Sequence, residues 1–521
     1  MTGTSESNAT SNAVPDASCA SSEEQSAGGF RGKLCRIFAI DLRTLAMFRI
    51  LLAALLLIDL LTRWSNLNML YTDAGILPRD TLVQILGPSV KWTSLHYYTG
   101  ASSIIQSLVF FAAAICALLL MVGCRTWLMT LLCWFLFVSL NRRLPNSASG
   151  ADIILRLLLF WSLFLPLGAR WSVDQALDLG KRKISNCFAS VATGAILLQI
   201  CYIYWFTVIL KLNPDWLEGR ALGHALRLDT FARPFGLWLQ ENESLTSVLS
   251  YGTLVVEAGA PFVALCPWFN AWARWLAILA MWGLHLGIAM CMNIGLFPYV
   301  SMLCWALFIP TESWDWLERK FGASSASLSL RGFGAWVGGF FGRVVPRREL
   351  RVRPSSLAAW IAAAAFIFVT FYNVLGLEPV NKRGLRIPRV MQLAAKVARL
   401  DQSWSMFTQP NAMDGWYAMP SKLADGSEVD IFKNGEPFSS EKPALVSASY
   451  PNFRVNRIMN NNRESAKSAT FWNAYASYAV RNWNATHSPE KTVKFMQVIY
   501  FKEAVHNQPP TPQVMAEVRI D

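Results

Sequence analysis

The sequence predicts an all-α multi-pass membrane domain of about nine transmembrane helices, followed by a C-terminal extracytoplasmic domain of mixed α+β or β character. Three observations predict it. Hydrophobic residues make up 53% of the chain and its mean hydropathy is +0.31. The apolar residues are grouped into stretches of membrane-crossing length, separated by basic loops. After residue 377 those stretches end, and shorter strand-like and helix-like patterns replace them.

In chain order, the first thirty residues are rich in Ser, Ala, Gly, Thr and Asn and hold no apolar core of signal-peptide length. We read 1–38 as a disordered tail, with the first membrane helix as anchor. Apolar stretches follow at about 42–62, 102–122, 125–141, 152–168, 188–210, 246–267, 272–292, 295–310 and 355–377, the third, fourth and eighth being short. This divides the chain into a tail (1–38), a helical membrane domain (39–377) and a soluble domain (378–521). Within the last, extended runs are expected at 428–432 and 492–501, and a helix near 469–482. The stretch 313–350 mixes Trp314, Trp316, Phe333, Trp336, Phe340 and Phe341 with basic residues, as an interfacial helix does.

The net charge of +13 does not indicate nucleic acid, because the lysines and arginines sit in loops between apolar segments. Basic clusters precede the first helix (Arg31, Lys33, Arg36, Arg43), follow the fourth (Lys181, Arg182, Lys183) and precede the ninth (Arg343, Arg347, Arg348, Arg351, Arg353). With nine crossings all three fall on the cytoplasmic side, and the tail beyond 378 lies outside. Ten cysteines occur, none after Cys304 and none at metal-ligand spacing, so neither a disulfide framework nor a metal is expected.

Ionisable residues inside apolar helices are costly and therefore informative. Arg49 and Asp59 fall in the first stretch, Arg156 in the fourth, Glu257 in the sixth and His285 in the seventh. Asp59 and Arg156 read as a packing ion pair or as part of one outward cavity shared with Lys211 and His285. His285 suits a packing or a catalytic role, and Glu257 has no partner legible in the sequence. Tyr204, Thr207 and Lys211 follow at i, i+3 and i+7, one helical face, with Trp205 and Phe206 beside it. That lining suits a flat aromatic ligand with polar oxygens. Lys211 ends its helix before Asn213-Pro214 and has two readings: a lysine snorkelling to the interface, or an amine whose lost hydration frees the neutral form to act as a base.

Several runs in order resemble the vitamin K-dependent gamma-carboxylases and their bacterial relatives, which share the horizontally transferred transmembrane (HTTM) domain. They are Leu45-Ala46-Met47-Phe48-Arg49 with Asp59, Tyr71 to Pro78, Trp171-Ser172-Val173-Asp174, Lys211-Leu212 with Asp215-Trp216 and Glu218-Gly219, His285 with Ile294 to Tyr299, and Gln402 to Phe407. The resemblance covers about residue 40 to the end. It implies that Lys211 is the initiating base: it deprotonates vitamin K hydroquinone, oxygen adds, and the resulting alkoxide takes a gamma-proton from a glutamate that captures carbon dioxide, while the quinone leaves as its epoxide. It further implies His285 as a second catalytic residue, a pocket of Tyr204, Thr207, Arg156, Asp152, Asp59 and Trp216, and Arg49 and Glu257 as structural ionic residues. The implied partners are membrane lipid, the quinone and an exported protein carrying glutamate, in a bacterial inner membrane. Counted back from Trp171, the Asn-His pair of the vertebrate enzymes falls on Gly150 and Ala151, with Asp152 next. The chain also stops at Asp521, short of their C-terminal portion, which puts carboxylation in more doubt than quinone oxidation. An ionised Asp152 would repel an incoming glutamate. Two other classes stay open: a non-catalytic quinone- or lipid-binding partner in peptide maturation or export, and a transport or structural membrane protein.

The inferred orientation predicts that a cysteine placed at Ser439 reacts with a membrane-impermeant reagent in intact cells, and that one placed at Ser327 does not. Labelling at Ser327 alone would reverse the assignment of sides.

Overall fold

The computed structural model describes residues 30–520 apart from 181–184, 322–338, 344, 348, 351, 353–354, 378–379, 382, 409–412, 466 and 505–508. Most of the expected tail lies outside the described residues, as do Lys181, Arg182, Lys183, Ser327, Phe333, Trp336, Arg348, Arg351 and Arg353. The end of the tail is helical instead: Phe30, Leu34, Ile37 and Phe38 recur at helix spacing in α1 (Phe30–Phe38), which packs on the fifth membrane helix.

A two-residue strand β1 (Ile40–Asp41) leads into α2 (Leu42–Trp64), where the Asp41 carboxylate accepts from Arg43 N at 2.7 Å as N-cap. Then come α3 (Ser103–Val122), α4 (Thr126–Arg143) and α5 (Gly150–Ser162). Strand β2 (Cys187–Phe188) pairs antiparallel with β1 and precedes α6 (Val191–Leu210), which a Ser190–Thr193 capping box opens. Next are α7 (Glu243–Ala264), α8 (Asn270–Cys291), α9 (Phe297–Ala306), α10 (Thr311–Phe321) and α11 (Ser356–Gly376). All nine expected apolar stretches are thus helical. Among the described residues six of these helices, α2, α3, α6, α7, α8 and α11, are long and apolar enough to cross a bilayer. The chain is therefore a multi-pass membrane protein. The 13 residues of α5 and 10 of α9 span only about 20 Å or less at 1.5 Å per residue, so they pack inside the bundle without crossing fully. The apolar stretch expected at 152–168 is cut at Ser162, four residues before the helix-incompatible Pro166.

The helices form a continuous core in which α2 packs on α3, α5 on α9, α6 on both α7 and α11, and α7 on α8. Its two ends are chemically distinct. At the end where α2 begins, Leu42 N donates to Asn186 O, Arg43 pairs with Asp315 at 2.7 Å, and Leu350 N donates to Asp178 at 2.8 Å. Described residues that flank the three basic clusters therefore converge there. Among the described cysteines eight are free, whereas Cys187 is disulfide-bonded, a bridge the sequence reading did not anticipate.

The other end carries the C-terminal domain. It begins with α12 (Arg389–Ala398) and holds strands β3 (Met413–Ala418), β4 (Pro420–Leu423), β5 (Glu428–Asp430), β6 (Val493–Ala504) and β7 (Thr511–Arg519), with α13 (Phe453–Asn461) and α14 (Ser468–Asn484). Strand β6 is long enough to pair antiparallel with β3 and β4 along one edge and β7 along the other; β5 pairs with β4. The second hydrophobic core joins this sheet and its helices to Leu67, Tyr71, Ile76, Leu82 and Val90, from the segment of short helices between α2 and α3. That segment belongs to the second core by packing, although it lies within the membrane domain by sequence.

Arg49, expected as a structural ionic residue, bonds backbone carbonyls: Leu167 O at 2.7 Å and Trp171 O at 2.6 Å. Gly123 ends α3 at φ 72° directly against it, and a Cβ there would lie 2.5 Å from Ser172 Cβ and 2.7 Å from Arg49 Nη1. Gly123→Ala should therefore cost about 2 kcal/mol or more, combining left-handed strain with overpacking. Thermal unfolding in detergent checks it; an unchanged midpoint would show that this turn relaxes freely.

Candidate functional site

Helix α6 delivers Lys211 to the end of the bundle shared with the C-terminal domain. The helix stops there because Pro214 follows and Asn213 turns its side-chain amide onto Leu210 O and Thr408 O. The lysine does not snorkel to water: it is only 2% exposed, and its Nζ donates to Glu257 Oε2 of α7 at 2.6 Å. Glu257, which had no legible partner, thus has one. Trp216 lies beside the pair, its ring centroid 4.3 Å from Nζ.

An extended strap, residues 401–408, closes this end. Arg156 of α5 pairs with Asp401 at 3.4 Å and also donates to its carbonyl. Gln199 donates to Gln402 at 2.8 Å, Thr207 to Trp404 O at 3.2 Å and Trp216 Nε1 to Phe407 O at 2.9 Å. Phe407 adopts φ 57°, a left-handed conformation unusual for a bulky residue, as the strap turns over Trp216. Met406 fills the space left by Gly150: a Cβ at 150 would lie 2.3 Å from Met406 Cε. Gly150 thus leaves its side-chain space to the strap.

The expected pairing of Asp59 with Arg156 does not occur, because Asp59 is held from two other directions. Arg63, one helical turn on, binds it at 2.7 Å, and Arg454 of α13 binds it at 2.6 Å. The same two guanidinium groups reach Asp152, at 2.7 and 3.0 Å, while Asp152 also accepts from Ser149 N and Oγ as the N3 member of the capping box that Ser149 opens at α5. Tyr71 Oη accepts from Arg63 at 2.8 Å. Burial opposes the charge on Arg454, but the carboxylates of Asp152 and Asp59 outweigh it and raise the guanidinium above its ordinary value. Two acids and two bases sum to zero. Asp152 is therefore not an uncompensated negative charge, and the expected repulsion of a glutamate by it does not hold.

His285 of α8 meets Tyr204 of α6, Nε2 to Oη at 2.8 Å, beside Phe297 and Trp305. Thr207 directs its hydroxyl to Ile203 O as well as Trp404 O. The one-face array of Tyr204, Thr207 and Lys211 thus engages three different neighbours: α8, the strap and α7. Asp59, Arg156, Lys211 and His285 do gather at one end of the bundle, but in separate sets of partners. A cavity of about 870 Å³ lies at the opposite end, lined by Thr126, Ser162, Leu165, Leu350 and Ala358 among others, and none of the candidate residues lines it. The side-chain chemistry, not that cavity, locates the site.

Five participants escaped the sequence reading. Arg63 was legible as the i+4 partner of Asp59, and Trp404 and Phe407 lay in a run already singled out. Asp401 and Arg454 gave no local signal, because their partners are 245 and 395 residues away.

The clasp of Asp59, Asp152, Arg63 and Arg454 makes a prediction. Arg454→Met leaves two buried carboxylates with one guanidinium and should cost about 3–5 kcal/mol, and adding Asp59→Asn should recover part of that loss. Denaturant unfolding of the single and double variants checks it; no recovery would mean that Arg454 acts by packing alone.

A family model described as the HTTM domain matches residues 38–316, the domain found in vitamin K-dependent gamma-carboxylases. The match takes in Asp59, Asp152, Lys211, Glu257 and His285 and ends before the strap. No solved structure matches the chain.

Proposed function

Since the chain belongs to the HTTM domain family, we propose that it is a membrane enzyme of the vitamin K-dependent carboxylase type, which oxidises a reduced naphthoquinone with oxygen to the epoxide at the end of the bundle closed by the C-terminal domain. The observation that carries this reading is the buried Lys211–Glu257 pair under Trp216 and the strap. A strong base persists only where water is kept away, and these side chains exclude it. Bound there, a naphthoquinone would supply the redox chemistry and the acidic hydroxyl. Its fit is supported by a buried polar atom with no protein partner among the described residues, His285 Nδ1, near the aromatic groups of Phe297 and Trp305. Lys211 would be the base, and Trp216, Trp404 and the Tyr204–His285 pair would hold the quinone. Oxygen is the co-substrate.

Carboxylation of a glutamate in an exported protein, with carbon dioxide, is the weaker half of this proposal, because Ala151 and Gly150 stand where the Asn-His pair is expected. The basic end of the bundle faces the cytoplasm of a bacterial inner membrane and the C-terminal domain the outside, by the distribution of lysine and arginine.

Because Lys211 is buried and paired, Lys211→Ala should not be structurally silent, contrary to the expectation for a helix-end lysine. It leaves the Glu257 carboxylate buried alone and should cost about 3–5 kcal/mol. The clean test is Lys211→Met with Glu257→Gln, a neutral pair of similar volume that should fold normally and form no epoxide. Lys211→Arg should also fail, since guanidinium does not give up its proton. With reduced vitamin K, oxygen and labelled bicarbonate, epoxide should form without a glutamate peptide, and peptide-bound label should be weak or absent. A folded double variant with full epoxide formation would refute the role of Lys211; efficient coupled labelling would restore full carboxylase activity to the reading.

A further inference from the structure

We propose that Glu257 is the proton store behind Lys211, taking the lysine's own proton so that Nζ is free to accept another. The inference rests on the naphthoquinone reading above and adds a residue to it.

An ammonium has three N–H donors and no lone pair, so Lys211 is a base only after it has lost a proton. Where that proton goes is decided by what lies within reach. Oε2 of Glu257 is 2.6 Å from Nζ, and the side chains are only 3% and 8% exposed. Among the described residues neither group has a second ion-pair partner. Two other titratable side chains close by, Tyr204 and His285, are hydrogen-bonded to each other at 2.8 Å. Trp216 covers the amine on another side and accepts no proton.

Burial favours the transfer. Two opposite charges held out of water each bear a desolvation cost that their attraction repays only in part, whereas moving one proton along the 2.6 Å contact leaves an amine and a carboxylic acid, both neutral. The balance then closes without net charge. Before the step the pair is neutral overall, in either form. After it, Nζ holds the proton taken from the substrate hydroxyl, Glu257 holds the proton that Lys211 carried at the start, and the ammonium faces one substrate anion. No proton has to cross to bulk water. If Glu257 stayed ionised, the same ionisation would release one proton to solvent and leave a buried net charge of −1, which is costly.

This separates the two cases by proton count rather than by turnover. The probe is 2-methyl-1-naphthol under nitrogen: it carries one acidic hydroxyl, lacks the second oxygen of a hydroquinone, and its ultraviolet band moves on ionisation. Purified full-length protein is titrated with it in weak buffer containing a pH indicator, while infrared spectra of the probe-bound protein are recorded. The expected result is ionised bound probe, no proton released per probe, and a protonated-carboxyl band that is absent in Glu257→Gln and moved in Glu257→Asp. Release of one proton per ionised probe without the carboxyl band overturns the inference. Binding without ionisation does so too. Epoxide formation from reduced vitamin K is assayed on the same preparation. Protein that makes epoxide yet lacks the carboxyl band overturns the role of Glu257 alone; protein that neither binds the probe nor makes epoxide overturns the naphthoquinone reading and the inference together.

Discussion

Charge buried at the end of a membrane bundle has to be neutralised inside the protein, and Asp59 and Asp152 are neutralised by one arginine from the bundle and one from the C-terminal domain. Arg63 arrives from the same helix as Asp59, while Arg454 arrives from α13, with all four side chains buried or nearly so. Neither carboxylate is fully compensated by the membrane domain alone. Docking of the C-terminal domain therefore completes the electrostatics of the bundle, and the shared core around Tyr71 adds apolar burial to the same interface.

The strap follows from that docking. Once α13 is clasped to the ends of α2 and α5, the chain between α12 and β3 must cross the mouth of the bundle. It does so through partners on two helices and the loop after α6: Arg156, Gln199 and Thr207, then Asn213 and Trp216. Gly150 gives Met406 its place. The outcome is a lysine and a glutamate out of reach of water. The buried environment that makes Lys211 interesting as a base is thus built by residues nearly two hundred positions further along the chain.

The two ion-pair systems differ in what they do with charge. In the clasp, arginines that keep their protons hold two carboxylates, an arrangement suited to permanent docking. At Lys211 the cation is an amine, whose proton can move to its partner over a short hydrogen bond. That difference in residue type separates a structural pair from one able to do proton chemistry, although both look alike as buried salt bridges.

By itself the sequence determined the helical stretches, the change of character after residue 377, the C-terminal-domain helix near 469–482 and the run that carries Lys211, because each depends on local apolar periodicity, capping residues and a proline stop. It also marked Asp59, Arg156, Glu257 and His285 as costly and in need of partners. Which partners they took was decided only by the tertiary structure. Asp59 found Arg454, Arg156 found Asp401, and Glu257 found Lys211, across separations of 395, 245 and 46 residues. Composition and spacing cannot choose among buried charges of equal sign, whereas helix packing and the path of the strap bring particular atoms within 3 Å and leave the others apart.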